Sequence, residues 1–288
     1  MNTAIARIGL SASECAGIVA AVTESPETQR PVHDLKISLR AAGVACEGDV
    51  LERALLASAI ERSAKEVETL PVPSSVKELI RKQFLRFSEP SPSDAPLAIE
   101  AEENDPFIAA CKICSLRRFP AGPLDWVVSG VPRKWLFKIP PLELPRAIRY
   151  IYGDFGGRTP AFYVHIAHPP RNRALILENA VRKAYYRMAR ALELQPEIKG
   201  ILCATWLHDP AAIERYPYLA AVNEPYLKLG GRLVTNLGPA PASSGFLKFN
   251  SERRAAYARG ELKLLTVLAM WPRRAAIEWA KTIGEAEP

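Results

Sequence analysis

The chain has 288 residues, 48% of them hydrophobic and 24% charged, with a formal net charge of +7. This is the composition of a globular protein with a sizeable core, and it excludes a disordered chain. No apolar run approaches the roughly 20 residues a membrane-spanning helix needs, and the start MNTAIARIGLSASEC lacks the basic-then-apolar order of a secretory signal. Five cysteines, an odd number, do not make a disulfide framework. A cytoplasmic protein without a membrane partner is the expectation.

The first part predicts helices. Ser11-Ala-Ser-Glu14 and Ser75-Val-Lys-Glu78 match the capping box, in which a hydroxyl and a carboxylate each satisfy the other's exposed backbone N–H. After Asp49, a candidate N-cap, Leu51, Leu55, Leu56, Ala59 and Ile60 leave a broad apolar stripe. Residues 88 to 106, SEPSPSDAPLAIEAEENDP, then break the period with prolines, serines and acids, as a linker or a long surface loop does. Charge changes sign there. Residues 1–104 hold 11 basic and 16 acidic side chains, and residues 105–288 hold 27 and 15. Two units follow: a helical N-terminal domain, 1–104, ending in the acidic linker, and an α/β domain, 105–288. The basic balance of the second favours an anionic ligand, or is a solvated surface.

In the second part, 124–128 and 135–139 predict short strands about a Gly130-Val-Pro132 turn. Residues 143–152 predict a short helix ending at Gly153. Ala161-Phe-Tyr-Val-His-Ile-Ala167 is rich in aromatic and β-branched residues and predicts a strand. Over 173–193, Leu177, Val181, Ala184, Tyr185, Met188 and Leu192 fall on one face of a long helix. Residues 199–207 are the next strand, so the three form a βαβ unit with parallel strands. Further strands at 232–236 and 263–270, and a last helix opened by Pro272, complete an α/β (α+β) unit with a mixed sheet.

Between the first of these strands and its helix lies HPPRNRA, placing His168, Arg171, Asn172 and Arg173 at a helix N-terminus. Free backbone N–H groups and the helix dipole attract anions there, and arginine adds charged hydrogen bonds. An ordinary Asn172 cap with exposed arginines is the alternative. A strand, an Arg-bearing loop and a long helix resemble the acyl-CoA-binding core of GNAT acyltransferases. The resemblance implies that loop amides hold the pyrophosphate of CoA and that a splayed strand edge pairs with pantetheine. The family's loop carries Arg-x-x-Gly-x-Gly or Ala, whereas this chain has Arg171-Asn-Arg-Ala-Leu, without glycine. His165-Ile166, the long helix and then Cys203-Ala-Thr205-Trp206-Leu207-His208-Asp209-Pro210 also resemble the GNAT-like C-terminal domain of a bacterial family that has a helical N-terminal domain. That likeness implies a GNAT-like mixed sheet with flanking helices and acyltransferase activity.

The carboxyl ends of parallel strands gather function in α/β sheets. His165 lies at one such end, and His208 with Asp209 at the next. An imidazole there suits the deprotonation of an amine or hydroxyl acceptor, with Asp209 fixing its tautomer or capping the helix that begins at Pro210. The expectation is therefore an acyltransferase with His165, His208 and Asp209 catalytic and His168, Arg171, Asn172 and Arg173 holding the donor. CoA or acyl-CoA is the expected cosubstrate, an acyl carrier protein the next choice of donor, and a small molecule the acceptor. No metal is expected. Tyr216 and Tyr218 fall where GNAT enzymes often keep a general acid. Three alternatives stay open: a metal-dependent enzyme using His165, His168, His208 and Asp209, a nucleic-acid-binding protein, and a noncatalytic scaffold. Cys111-Lys-Ile-Cys114 has the spacing of half a zinc site or a redox pair, but no second pair follows. No RNA-recognition, helix-turn-helix or zinc-finger signature accompanies the basic residues.

Overall fold

A computed structural model describes residues 11–24, 48–88, 106–167, 177–240, 251–261 and 263–283. The chain divides into two compact units, Met1–Leu70 with Ser74–Pro120, and Pro71–Pro73 with Ala121–Pro288. Among the described residues no helix is long and apolar enough to cross a membrane.

The described elements of the first unit are α1 (Ala12–Glu24), α2 (Gly48–Ser63), α3 (Ser74–Ser88), α4 (Pro106–Cys114) and the two-residue strand β1 (Phe119–Pro120). The capping box at the start of α1 is made: the Ser11 amide donates to Glu14 at 2.7 Å, and the Glu14 amide donates to Ser11 Oγ at 3.2 Å. Ser75 differs from its expected place, because α3 already begins at Ser74, and Glu78 pairs instead with Lys82 one turn on. Apolar side chains of α2 and α4 give this unit its core, with Leu51, Leu55, Phe107 and Ile113 all but fully buried. The Ser63 hydroxyl, at the end of α2, donates to the carbonyls of Ala59 and Cys114. The inclusion of α4 carries the division to Pro120, where composition alone had placed it at 104.

The second unit is built on β2 (Leu124–Ser129), β3 (Ala161–Ile166), β4 (Gly200–Thr205), β5 (Arg232–Pro239) and β6 (Leu265–Pro272). With β1, the sheet order is β1-β2-β3-β4-β6-β5. Pairing of β3 with β4 is parallel, whereas β2 with β3, β4 with β6 and β6 with β5 are antiparallel. The fold is thus α+β, with a mixed six-stranded sheet and flanking helices. The helices are α5 (Arg133–Leu136), α6 (Leu144–Arg149), α7 (Glu178–Leu194), α8 (Pro210–Arg215), α9 (Ala220–Leu227), α10 (Ser251–Ala258) and α11 (Arg273–Ile283).

Strand alternation sorts the side chains into two layers. One face carries Tyr163, Leu202, Ala204, Leu268 and Met270, packed against Val131, Trp135, Ile139, Tyr150 and Phe155. On the other face Trp126 meets Phe162 at 5.4 Å between ring centroids. There Tyr185 of α7 meets Trp271 of β6 at 6.0 Å and Tyr226 of α9 at 6.1 Å. The helix that carries Tyr185 buries Val181, Ala184, Met188 and Leu192 on the same stripe, as its 3.6-residue period predicts. Its last carbonyls are met from α11, where Arg273 donates to Leu192 and Gln195. Gly200 opens β4 at φ +153°, where a Cβ would collide with the Trp271 carbonyl and the Phe155 ring.

One expected strand is not a strand. Residues 135–139 form the end of α5 and a following turn, with Lys138 N–H bonded to Trp135 and Ile139 N–H to Leu136. A half-buried strand would hide Phe137 together with Trp135 and Ile139, yet Phe137 is 90% exposed. The helix expected over 143–152 is α6, continued by a wider turn over Tyr150–Asp154. Of the helix expected over 173–193, residues 173–176 lie outside the described residues, and the described helix begins at Glu178.

Candidate functional site

Among the pairings β2–β3, β3–β4, β4–β6 and β6–β5, β3–β4 is the parallel one and has the shortest register. β2 matches β3 at six positions and β4 matches β6 at six. Between β3 and β4 the register covers only Phe162 with Ile201 and Tyr163 with Leu202. The register does not extend to Val164–Ile166 and Cys203–Thr205, the carboxyl ends of the two strands. A side-chain bond takes up one backbone group here, with Cys203 Sγ donating to the Val164 carbonyl at 3.4 Å. Burial pushes the Cys203 thiol up to about 12, so it serves as a small apolar donor and not as a thiolate. An extended amide-bearing ligand can line a strand end of this kind as an added strand does.

His165 stands at this end of β3. It is half-buried, and its imidazole meets the Tyr163 ring edge-on at 4.6 Å. Directly across the ladder lies Asp125 of β2, which has no exposed surface. Sequence reasoning missed Asp125, although a carboxylate inside Leu-Asp-Trp-Val-Val is a signal in itself, since buried acids are rare unless paired.

His208 is placed differently. After β4 the chain makes a single tight turn over Trp206–His208, set by Thr205 Oγ1 accepting from the Leu207 amide at 3.3 Å. The turn sends the imidazole into the layer of α7 and α9, where it is fully buried against the Tyr226 ring at 4.8 Å. Asn223 of α9 spends its amide N–H groups on the Leu207 and Leu219 carbonyls, both at 2.9 Å. Its Oδ1 is therefore the acceptor for His208 Nδ1–H at 2.7 Å, which fixes the tautomer with a bare Nε2. That Nε2 is buried without a hydrogen-bond partner among the described residues. Burial holds the imidazole down to about 4, and the bond it donates to Asn223 offsets this only in part.

Asp209 turns the other way. One carboxylate oxygen accepts from the Ala211 amide at 3.0 Å and caps α8, and the other accepts from the Leu265 amide at 2.8 Å at the start of β6. Both oxygens thus serve backbone N–H groups, and Asn223 takes the orienting place at His208 that Asp209 was expected to fill. His165 shares the Tyr163 face, whereas His208 lies with Tyr185 and Tyr226 on the opposite one, so the two imidazoles do not meet in one site. The same separation keeps them from sharing a metal ion. Among the described residues no group of three His, Cys, Asp or Glu side chains is placed to hold a metal.

His168, Arg171, Asn172 and Arg173 lie outside the described residues. In sequence they fall between β3 and α7. Tyr216 and Tyr218 sit side by side with ring centroids 5.9 Å apart, and Tyr218 is exposed. Cys111 and Cys114 are buried in α4 and form no disulfide, and burial pushes the Cys114 thiol well up. Comparison with protein-family models, with curated proteins and with solved structures finds no match for this chain.

Proposed function

We propose that this protein is a GNAT-like acyltransferase that takes an acyl thioester of CoA and passes the acyl group to an amine or hydroxyl of a small acceptor. The observation that carries this reading is the parallel pair β3–β4, whose register covers two positions and does not extend to the carboxyl ends. A pantetheine arm has two amides in an extended chain, so it suits a strand end of this kind. The Arg171 and Arg173 side chains follow β3 directly in sequence and would meet the phosphates.

In the transfer, the acceptor nitrogen or oxygen attacks the thioester carbonyl. The new C–N or C–O bond forms as the C–S bond breaks, and the sulfur leaves with the bonding pair. The acceptor's proton goes to the His165 imidazole and from there to the departing thiolate, so the histidine ends as it began. Burial of His208 removes it from this chemistry and makes it part of the core. A carrier protein would present the same pantetheine thioester and is the next choice of donor.

Calorimetry with CoA and acetyl-CoA tests the donor on the wild type and on Arg171→Ala/Arg173→Ala. Binding by the wild type, weakened at least about tenfold in the double variant, is expected. No binding at millimolar ligand would overturn the CoA reading, and equal binding by the double variant would remove the arginines from it.

A further inference from the structure

A carboxylate taken wholly out of water is costly unless hydrogen-bond donors or a positive charge meet it. Asp125 is such a group, with no exposed surface on β2. In an antiparallel pair, residues directly opposite project to the same face with Cβ atoms about 4.5–5.5 Å apart. Asp125 and His165 are directly opposite in the β2–β3 register. That spacing lets a carboxylate oxygen reach an imidazole nitrogen. His165 also has its edge-on contact with Tyr163, which limits how its ring can turn.

We infer that Asp125 and His165 form an acid–base dyad at the carboxyl end of the parallel pair. The Asp125 carboxylate accepts a hydrogen bond from one ring nitrogen, selects the tautomer and steadies the imidazolium that forms when the other nitrogen takes a proton. Asp125 is a positioning residue here, and His165 is the group that meets the acceptor. The inference rests on the acyltransferase reading for its chemistry, but the dyad itself does not depend on the donor.

Among the described residues, Asp125 of β2 lies opposite His165 in the register and Tyr163 of β3 meets its ring. In the layer that covers the face, Trp135 of α5 meets Tyr163 at 5.8 Å and Tyr150 lies in the same cluster. Glu143, at the start of α6, accepts from Thr235 of β5 at 2.6 Å and is engaged there. Asp125 is the carboxylate that the register sets opposite His165.

The test is a histidine NMR titration of the full chain, with His165→Gln used to identify the resonance. His165 should titrate above the ordinary value of about 6.5, by about one pH unit, because a close anion favours the charged ring. Asp125→Asn keeps the volume and removes the charge, and should lower the His165 midpoint by at least about one pH unit. A structural role for Asp125 would alter melting but leave the His165 midpoint where it was. A wild-type midpoint at or below the ordinary value overturns the dyad, as does a midpoint unmoved in a folded Asp125→Asn. Should the variant fail to fold, the wild-type titration alone decides. No donor is needed, so a raised His165 without CoA binding would uphold the dyad and sink the CoA reading, and the converse result would do the opposite.

Discussion

His208 is an imidazole that the core holds neutral. It has no exposed surface, its Nδ1–H is spent on Asn223, and burial lowers its affinity for a proton to a midpoint of about 4. The unfolded chain binds that proton near 6.5. Between these values the unfolded state holds more protons than the folded one, so stability is full above about pH 6.5 and is lost as pH falls toward 4. The gap corresponds to roughly 3 kcal/mol at its acid end. Urea unfolding from pH 7 to 4.5 should show this slope, and His208→Gln should flatten it while lowering stability at pH 7. An unchanged slope in the variant would mean that other groups carry the pH dependence. Sequence adjacency misled on this residue, because one turn between Thr205 and Asp209 separates an inward imidazole from an outward cap. The partner Asn223 lies 15 positions on, beyond what a local pattern can reveal.

At the scale of elements, Asp209 joins two of them. Its carboxylate holds the first turn of α8 and the first residue of β6 at once. Asparagine keeps an oxygen for the Ala211 amide, since Asn caps helices as well as Asp, but offers an N–H where Leu265 needs an acceptor. Asp209→Asn should therefore cost about 1 kcal/mol in thermal or urea unfolding, and Asp209→Ala roughly twice that. A neutral Asp209→Ala would show the cap to be dispensable. The β3–α7–β4 run was legible because its helix keeps an apolar stripe at helical spacing and its strands are aromatic and β-branched. Residues 135–139 were not, because Trp-Leu-Phe-Lys-Ile has strand-forming side chains whose helical turn is fixed from outside, by Pro132 before them and Pro140-Pro141 after. Asp125 belongs to the same lesson: its face was readable from alternation, but the register that sets it opposite His165 arises only when two strands 40 positions apart pair.

For the molecule as a whole, the change of charge sign and the acidic stretch 88–106 signalled two units, and the chain does divide into two. The exact division was hidden, because α4 reads by composition as the start of the second unit. Its buried Phe107, Ala110 and Ile113 place it instead within the first. In the second unit, the proposed site lies at one end of one strand pair, where the register is short and the His165 imidazole is half-buried. In the proposed reading an acyl thioester of CoA lies at that strand end. Hydrogen–deuterium exchange with and without acetyl-CoA tests it most directly. Slower exchange over 164–166, 203–205 and 168–173 is expected, with β5 and the rim of β2 unchanged, because the first set is where the proposed ligand would lie. Unaltered exchange across those three segments at saturating acetyl-CoA, or protection confined to other elements, would contradict it.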